Sequence, residues 1–169
     1  MIINGTLSHI IKKSRDEFMD KQDQAILEHI QNDASLSAGE LAEKIGISKS
    51  ACWRRLQKLS SDGVIKGRVA ILDPEKLNLS LTVYISIRTN EHNAKWANKF
   101  QQVTQNIPGV LEVYRMSGDL DYLVKAVVAD MKGYDDLYKQ LIKADLFDVS
   151  SSFVMETMKQ TTELPLNNL

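Results

Sequence analysis

Six basic residues and one acidic residue fall between positions 46 and 68, which gives this stretch a net charge of +5. The chain as a whole carries a formal net charge of −1, so the positive charge is concentrated locally. A basic patch on a nearly neutral background is typical of a surface that binds a polyanion such as double-stranded DNA. A solvent-exposed helix that happens to be basic is the alternative. The basic side chains are Lys49, Arg54, Arg55, Lys58, Lys66 and Arg68.

The residues around this patch predict two short helices joined by a tight turn. Ser37 and Glu40 have the spacing of a capping box, in which each side chain satisfies a backbone N–H at the start of a helix. Gly46 stands where that helix must end, because glycine adopts the left-handed conformation of a C-terminal cap at little cost. Ser48 is then a suitable N-cap for the second helix. The inward positions of the second helix are Cys52, Leu56 and Leu59, which recur at helical spacing.

The outward side of the second helix and the segment after it carry the basic side chains. Residues Val64 to Ile71 alternate like a short pair of strands, which would form a wing. A helix over about residues 20–32 would pack across the other two and complete a three-helix core. This combination is a winged helix-turn-helix, which places one helix in the major groove of DNA. The predicted DNA-contacting residues are Ser37, Ser48, Lys49, Ser50, Trp53, Arg54, Arg55, Lys58, Lys66 and Arg68.

These residues divide into predicted phosphate contacts and predicted base contacts. Ser48 and Ser50 begin the second helix, where backbone N–H groups and the helix dipole favour a phosphate. Arg54 is a candidate for reading a base, since arginine to guanine is the commonest specific contact. Trp53 has two open alternatives: contact with a thymine methyl group or sugar, or packing beneath the wing. Arg55 has two as well, a phosphate contact or a structural hydrogen bond.

The second half of the chain predicts a sheet domain. From Leu81 to Thr89 apolar and polar residues alternate, as in a half-buried strand, and the pattern strand, helix, strand then occurs twice. The predicted order is β-α-β-β-α-β, a ferredoxin-like arrangement, so the whole chain belongs to the α+β class. Two helices cover only one face of such a sheet. The other face still offers apolar side chains, because some strands are apolar on both registers (Leu123 and Val127 against Tyr122, Val124 and Ala126). That face would join two chains into a homodimer, and the DNA site would then be a pseudo-palindrome.

The composition predicts a folded protein, and the positions of its cysteine and histidines give no sign of a catalytic or metal site. Of 169 residues, 43% are hydrophobic and 25% are charged, and no apolar run approaches the length of a membrane span. Cys52 is the single cysteine, so it makes no internal disulfide and is expected in the core. His9, His29 and His92 lie in separate segments, none at metal-ligand spacing from a cysteine or acid. We therefore expect a cytoplasmic, nucleoid-associated protein with no membrane partner, no cofactor, no metal and no catalytic residue.

Several motifs in the chain resemble the Lrp/AsnC family of bacterial and archaeal transcription regulators. The matching pieces are Asp23, Ile26–Leu27, LAEKIGIS at 41–48, the run from Arg55 to Ile65, and RMSGDLDYLVK at 115–125. The resemblance covers about residues 19–160. Its details, such as CWRR at 52–55 and DPEK at 73–76, are closest to the DecR-like, cysteine-responsive branch of the family.

The resemblance implies a regulator whose C-terminal domain, of the type called RAM or ACT-like, binds a small amino acid. Cysteine or a branched-chain amino acid is the expected effector, and genes of amino-acid metabolism are the expected targets. The family also forms homodimers that assemble into tetramers or octamers. Its effector site lies between neighbouring dimers, close to a Gly-Asp turn and the last strand. The matching positions in this sequence are Gly118, Asp119, Asp121, Ser151, Ser152 and Phe153.

The predicted organisation follows from these elements. Asp73–Pro74 is a turn signal and marks a connector. The expected segments are an N-terminal extension (1–18), a winged helix-turn-helix domain (19–71), a linker (72–80), a ligand-binding and oligomerisation domain (81–158) and a C-terminal tail (159–169).

Some alternatives remain open at this point. From spacing alone, Ser117-Gly118-Asp119 is better explained as the turn that any hairpin needs, and only the resemblance favours a ligand site. Arg115 could bind the carboxylate of an amino acid or form a cross-strand pair. An architectural protein that compacts DNA without an effector is the second hypothesis for function. A subunit of a metabolic enzyme is the third, and it requires the basic patch to be incidental.

Overall fold

The computed structural model describes residues 19–166, so the predicted N-terminal extension (1–18) lies outside the described residues. The chain divides into two compact units. The first, which we call the reading unit, contains the residues up to Ala70 together with those from Lys159 onward. The second, the sheet unit, contains Ile71–Met158. No helix among the described residues is long and apolar enough to cross a membrane.

Three helices form the reading unit, and each starts at a side chain that caps it. Helix α1 is Lys21–Asn32, α2 is Ala38–Ile45 and α3 is Lys49–Ser61. Their N-caps are Asp20, Ser37 and Ser48, and α1 and α2 both have complete capping boxes. The helix starts, the helix ends and the predicted box at Ser37 and Glu40 are confirmed.

The apolar sides of these helices meet in one core. Ile26, Leu41 and Cys52, one from each helix, are fully buried, and Leu56 and Leu59 are nearly so. Gly46 ends α2 at φ 72°, in the left-handed region where a side chain is unfavourable. This conformation lets the chain turn between α2 and α3 within three residues, which is the turn of a helix-turn-helix.

The predicted pair of wing strands is wrong for the described chain. No strand is assigned between residues 64 and 80, and the basic segment around Lys66 and Arg68 is exposed. Gly63, at φ 72°, reverses the chain after α3, and the Ile65 N–H donates to the carbonyl of Leu59 at 3.0 Å. Two strands of about four residues exchange too few backbone hydrogen bonds to be stable without a third strand beside them.

The sheet unit has the predicted order β-α-β-β-α-β. Its elements are β1 (Leu81–Arg88), α4 (Ala94–Gln105), β2 (Val110–Arg115), β3 (Tyr122–Val128), α5 (Met131–Leu141) and β4 (Asp148–Phe153). All the strand pairs are antiparallel and the strand order is β2-β3-β1-β4. Short 3-10 turns at Glu75–Leu77 and Ile142–Ala144 precede β1 and follow α5. The predicted α+β class and ferredoxin-like order are confirmed.

The two faces of the sheet differ in how they are covered. The inner face packs on α4 and α5, where Ile85 and Val124 from the central strands meet Phe100 and Leu141 from the helices. The opposite face, which we call the outer face, carries Tyr84, Tyr114, Leu123, Lys125 and Val127, because successive residues of a strand point to opposite sides. Both described helices of this unit therefore lie on one side, as two amphipathic helices require.

Candidate functional site

The side of α3 that faces away from the core carries the predicted DNA contacts. Lys49, Ser50 and Arg54 are exposed, and Arg54 lies nearly opposite the buried side of the helix. Trp53 is 58% exposed, so its ring is not packed beneath the segment that follows α3. Gln57 is exposed on the same side and is absent from the predicted contact set, although its helical spacing from Arg54 placed it there.

The first turn of α3 has the geometry of an anion site. Ser48 Oγ accepts a hydrogen bond from the Ala51 N–H at 3.2 Å and lies 3.2 Å from Ser50 Oγ. Among the described residues, the N–H groups of Lys49 and Ser50 have no hydrogen-bond acceptor. These two donors, together with the positive end of the helix dipole, suit a phosphate oxygen.

The neighbouring arginines of α3 have opposite environments. Arg54 is exposed and has no hydrogen-bond or ion-pair partner among the described residues. Arg55 is only 25% exposed, and its guanidinium reaches two carboxylates at the start of α1: Nη1 lies 2.8 Å from Asp23 Oδ1 and Nη2 lies 2.8 Å from Asp20 Oδ2. The structural hydrogen bond, one of the two alternatives for Arg55, is therefore present.

The carboxylates that hold Arg55 also cap α1. Asp23 is 6% exposed, and its Oδ2 accepts from the Asp20 N–H at 3.2 Å while Oδ1 accepts from Arg55. Hydrogen bonding to Asp23 is the largest cause that raises the pKa of Arg55. Burial by itself would raise the pKa of Asp20, but hydrogen bonds from Asp23 N–H and Arg55 outweigh it and lower that pKa. These three residues fix α3 against α1.

The remaining predicted contacts are more dispersed. Ser37 Oγ accepts from the Glu40 N–H at 3.3 Å, so its hydroxyl acts as a helix cap. Lys66 is exposed, and Arg68 donates from Nη1 to the carbonyl of Ala34 at 3.2 Å. Lys58 is exposed at the outer side of α3. The hydrogen bond from Arg68 to Ala34 holds the segment after α3 beside the loop between α1 and α2.

The Gly-Asp turn between β2 and β3 is built by backbone geometry and one carboxylate. Gly118 has φ 104°, which glycine adopts freely. Asp121 Oδ2 accepts from the Thr89 N–H at 2.9 Å, and the Asp121 N–H donates to the carbonyl of Ile87 at 3.0 Å. Asp119, in contrast, is exposed and its carboxylate has no partner among the described residues. Asp121 therefore holds the turn, and Asp119 is the carboxylate available to a ligand.

Arg88 is a member of this site that the sequence reasoning missed. Its Nε donates to the carbonyl of Asp119 at 2.7 Å, and its Nη1 lies 3.6 Å from Asp148 Oδ2. Arg88 thus ties the Gly-Asp turn to the first residue of β4. The only signal in the sequence is its place at the end of β1, and the turn lies 30 residues further along the chain, too far for a local pattern to reveal.

The predicted ligand residues of β4 lie away from this turn within one chain. Phe153 pairs with Val83 and the turn is bonded to Ile87, which is four residues or about 13 Å further along β1. The Tyr134 hydroxyl lies 2.7 Å from Ser151 Oγ, and the Phe153 ring packs edge-on against Tyr134 at 5.0 Å. Ser152 is exposed and points to the outer face. The six residues therefore form two groups, and one chain does not bring them together.

The described residues hold no group of three or more His, Cys, Asp or Glu side chains that could bind a metal ion. Cys52 is fully buried, and its burial raises the pKa of the thiol, as expected for a core cysteine.

Comparison with known proteins agrees with this arrangement of units. A model described as winged helix-turn-helix DNA-binding matches residues 19–66, and one described as the Lrp/AsnC ligand binding domain matches residues 82–164. A glutamate uptake regulatory protein of Zymomonas mobilis is 48% identical over 149 residues, 88% of this chain and 91% of that protein. The DNA-binding transcriptional activator DecR of Escherichia coli is 45% identical over 150 residues, 88% of this chain and 99% of that protein.

A solved structure has the same fold along nearly its whole length. It is a transcriptional regulator from Neisseria meningitidis in complex with L-Met, 32% identical, with a TM-score of 0.83 over 88% of this chain and 97% of that one. The capped helix-turn-helix, the sheet unit and these relatives lead to one conclusion: the chain belongs to the Lrp/AsnC family, whose members are transcription regulators and not enzymes.

Proposed function

We propose that this protein binds specific DNA sites through α3 and changes that binding in response to a small amino acid. The observation that carries the proposal is the contrast between the adjacent arginines. Arg55 is held by Asp20 and Asp23 inside the reading unit, whereas Arg54 projects from the opposite side of the same helix without a partner among the described residues. The fold thus fixes the helix with one arginine and leaves the other for DNA.

The DNA-contacting set that we propose is smaller than the set predicted from the sequence. Ser48, Lys49 and Ser50 hold phosphate at the start of α3, while Arg54, Trp53 and Gln57 face base edges or sugars, and Lys58, Lys66 and Arg68 contact the flanking backbone. Ser37 and Arg55 serve the fold. This division is supported by exposure and, for the two arginines Arg54 and Arg55, by the absence or presence of internal partners among the described residues.

Binding to genomic fragments measured against salt concentration tests the DNA half of the proposal. Specific and random DNA should both bind more weakly as salt rises, because counterions released from phosphate drive both. The preference for specific sites should remain large, on the order of 10³-fold or more. No preference at any salt concentration would favour an architectural protein that compacts DNA without sequence recognition.

We propose that the effector binds at the Gly-Asp turn, with Asp119 accepting the ammonium group and backbone N–H groups around Gly118 donating to the carboxylate. The distance between this turn and Phe153 within one chain supports a site that a second chain completes. Cysteine and the branched-chain amino acids are the first candidates. Methionine and glutamate follow, because one similar protein was solved in complex with L-Met and another is named a glutamate uptake regulatory protein.

A thermal-shift panel of the twenty amino acids tests the effector. A ligand that binds only the folded protein stabilises it by about 2.7 kcal/mol at a hundred times its dissociation constant. The same amino acid should alter DNA affinity when it is added to the binding assay. If no amino acid shifts the melting temperature, the effector half of the proposal is wrong while the DNA half stands.

We also propose that two chains pair through the outer face of the sheet and that dimers assemble further, into tetramers or octamers. Tyr84, Tyr114 and Leu123 supply apolar surface on this face, and Lys125 bonds to Glu112 within it at 2.9 Å. Pairing would give two copies of α3 related by a two-fold axis, as a pseudo-palindromic site requires. Such a regulator acts on the chromosome, so we place it in the cytoplasm with the nucleoid, controlling genes of amino-acid metabolism.

A further inference from the structure

The last described residues of the chain, 164–166, lie in the reading unit, although residue 164 ends the region matched to the ligand-binding domain. The chain leaves the sheet unit after Met158, and Leu164 contacts α1. Leu164 therefore belongs to the ligand-binding domain by its sequence match and to the reading unit by its packing.

One glutamine of α1 holds this segment by a pair of hydrogen bonds. Gln31 Oε1 accepts from the Leu164 N–H at 2.9 Å, and Gln31 Nε2 donates to the Leu164 carbonyl at 3.2 Å. The side-chain amide thus satisfies both polar groups of one residue, in the way a neighbouring strand would.

A second glutamine, two helical turns away, extends the contact. Gln24 Nε2 donates to the Leu166 carbonyl at 3.3 Å, and the Leu166 side chain packs, half-buried, against the core of the reading unit. Gln24 and Gln31 are seven residues apart, so they lie on the same side of α1. The segment runs antiparallel to the helix, with one residue bonded at each glutamine.

Pro165 restricts the backbone of the segment to conformations that suit this contact. Proline fixes its own φ and disfavours the helical region for the residue before it, which here is Leu164. Proline has no N–H to donate, and this costs no hydrogen bond here because both glutamines bond to backbone groups of Leu164 and Leu166. A segment already restricted to extended conformations loses less entropy when it binds.

We propose that residues 164–166 form a strap that is seated on Gln24 and Gln31, and that the seated strap stabilises α1 and thereby supports DNA binding by α3. The step from α1 to α3 is short: Gln24 follows Asp23, whose carboxylate holds Arg55 of α3 at 2.8 Å. The strap follows β4 in the chain but belongs to the reading unit, so the chain returns to that unit after Met158.

Hydrogen exchange of the α1 amides, measured without DNA, tests whether the contact of the strap with Gln24 and Gln31 stabilises α1. The variants are a chain that stops after Glu163 and Gln31→Ala. Their controls are a chain that stops after Leu166, which keeps the strap, and Gln22→Ala, the same substitution at an exposed position of α1 outside the seat. We expect exchange to be several-fold faster in both variants and unchanged in both controls, because the α1 hydrogen bonds open more often once the strap is lost.

A double variant decides whether the glutamine and the strap act as one contact. Removing the strap from Gln31→Ala should add little to the effect of either change alone. Additive effects of the two changes, or exchange equal to that of the controls, would overturn the proposal that the strap stabilises α1.

The link to DNA is tested separately and rests on the proposed function. Both variants should bind a specific site a few-fold more weakly than their controls. Faster exchange with unchanged DNA affinity would overturn that link. Failure of the wild-type protein to bind DNA would count against the proposed function and leave the exchange result for the strap standing.

Discussion

The guanidinium of Arg55 lies 2.8 Å from the carboxylate of Asp23, a residue 32 positions earlier in the chain and almost completely buried. Asp23 also closes the capping box of α1, so one carboxylate begins one helix and anchors another. Adjacent Arg54 has no such partner among the described residues. The orientation of α3 is therefore set from inside the reading unit, and its outer side is left for recognition.

The two arginines should separate stability from DNA binding. Arg55→Ala should destabilise the reading unit by about 2–4 kcal/mol, because it leaves the carboxylate of Asp23 buried without its ion-pair partner. Arg54→Ala should leave the free energy of unfolding within about 0.5 kcal/mol of wild type and weaken specific DNA binding by about 1–3 kcal/mol. Urea unfolding and DNA titration of both proteins give the comparison. An Arg54→Ala protein that unfolds as easily as Arg55→Ala would contradict this division.

Acid should weaken the ion pair between Asp20 and Arg55. Burial would raise the pKa of Asp20, but hydrogen bonds from Asp23 N–H and Arg55 outweigh it and hold the pKa below its ordinary value of 3.8. A lowered pKa in the folded state means that the contribution is present above that ordinary value and is lost as the pH falls through the folded-state value.

Asp20→Asn, which keeps a capping side chain but cannot ionise, isolates this contribution. The difference in unfolding free energy between wild type and Asp20→Asn should shrink as the pH is lowered from about 5 to about 2.5. Urea unfolding followed by circular dichroism at each pH measures the difference. A difference that does not change with pH would show that the charge of Asp20 has no part in stability.

Local signals in the sequence were sufficient for the helices, the caps and the order of strands and helices along the chain. Ser37, Gly46 and Ser48 act within a few residues of their own positions, so their roles can be deduced from spacing. The partners of Arg55 could not be deduced in the same way, since Asp20 and Asp23 meet it only after α1 and α3 pack.

The predicted pair of wing strands shows the same limit. Alternation from Val64 to Ile71 indicates a strand, but a strand also needs a neighbour, and none is present beside this segment in the described chain. Ser151 and Phe153 were placed with Gly118 by resemblance. Pairing of β4 with β1 puts Ser151 opposite Ile85 and Phe153 opposite Val83, where both contact Tyr134. The ligand set as a whole stays a prediction.

Two glycines of the reading unit should respond in opposite directions to alanine. Gly46→Ala should lower the free energy of unfolding by about 1 kcal/mol, because alanine is strained at φ 72° even though the space around it is open. Gly39→Ala lies within α2 and would place its methyl group 3.7 Å from Ser37 Oγ, an ordinary contact, so it should add about 0.5 kcal/mol. Urea unfolding of both variants checks the signs, and equal effects would refute this account of Gly46.

The outer face of the sheet should be sensitive to charge if it joins two chains. Leu123→Lys puts a charged side chain into the apolar part of the proposed interface, where it would lose its hydration, and should convert the dimer to a monomer. Leu111→Lys, at an exposed position in the bulge of β2, is the matched control and should remain dimeric. Sedimentation velocity measures the assembly of both, with circular dichroism to show that each is folded. A Leu123→Lys dimer would place the interface elsewhere.

The two aspartates of the Gly-Asp turn should separate ligand binding from turn stability. Asp121→Asn weakens the acceptor for the Thr89 N–H, so it should lower the free energy of unfolding of the sheet unit by about 1 kcal/mol. Asp119→Asn disturbs no internal bond of its carboxylate among the described residues, so stability should be unchanged. Loss of the charge that faces the ammonium group should weaken effector binding about 10- to 100-fold. Calorimetric titration with the amino acid identified in the thermal-shift panel measures the affinity. Unchanged affinity in Asp119→Asn, with normal stability, would mean that the ammonium group is bound by another acceptor and that this turn serves the fold alone.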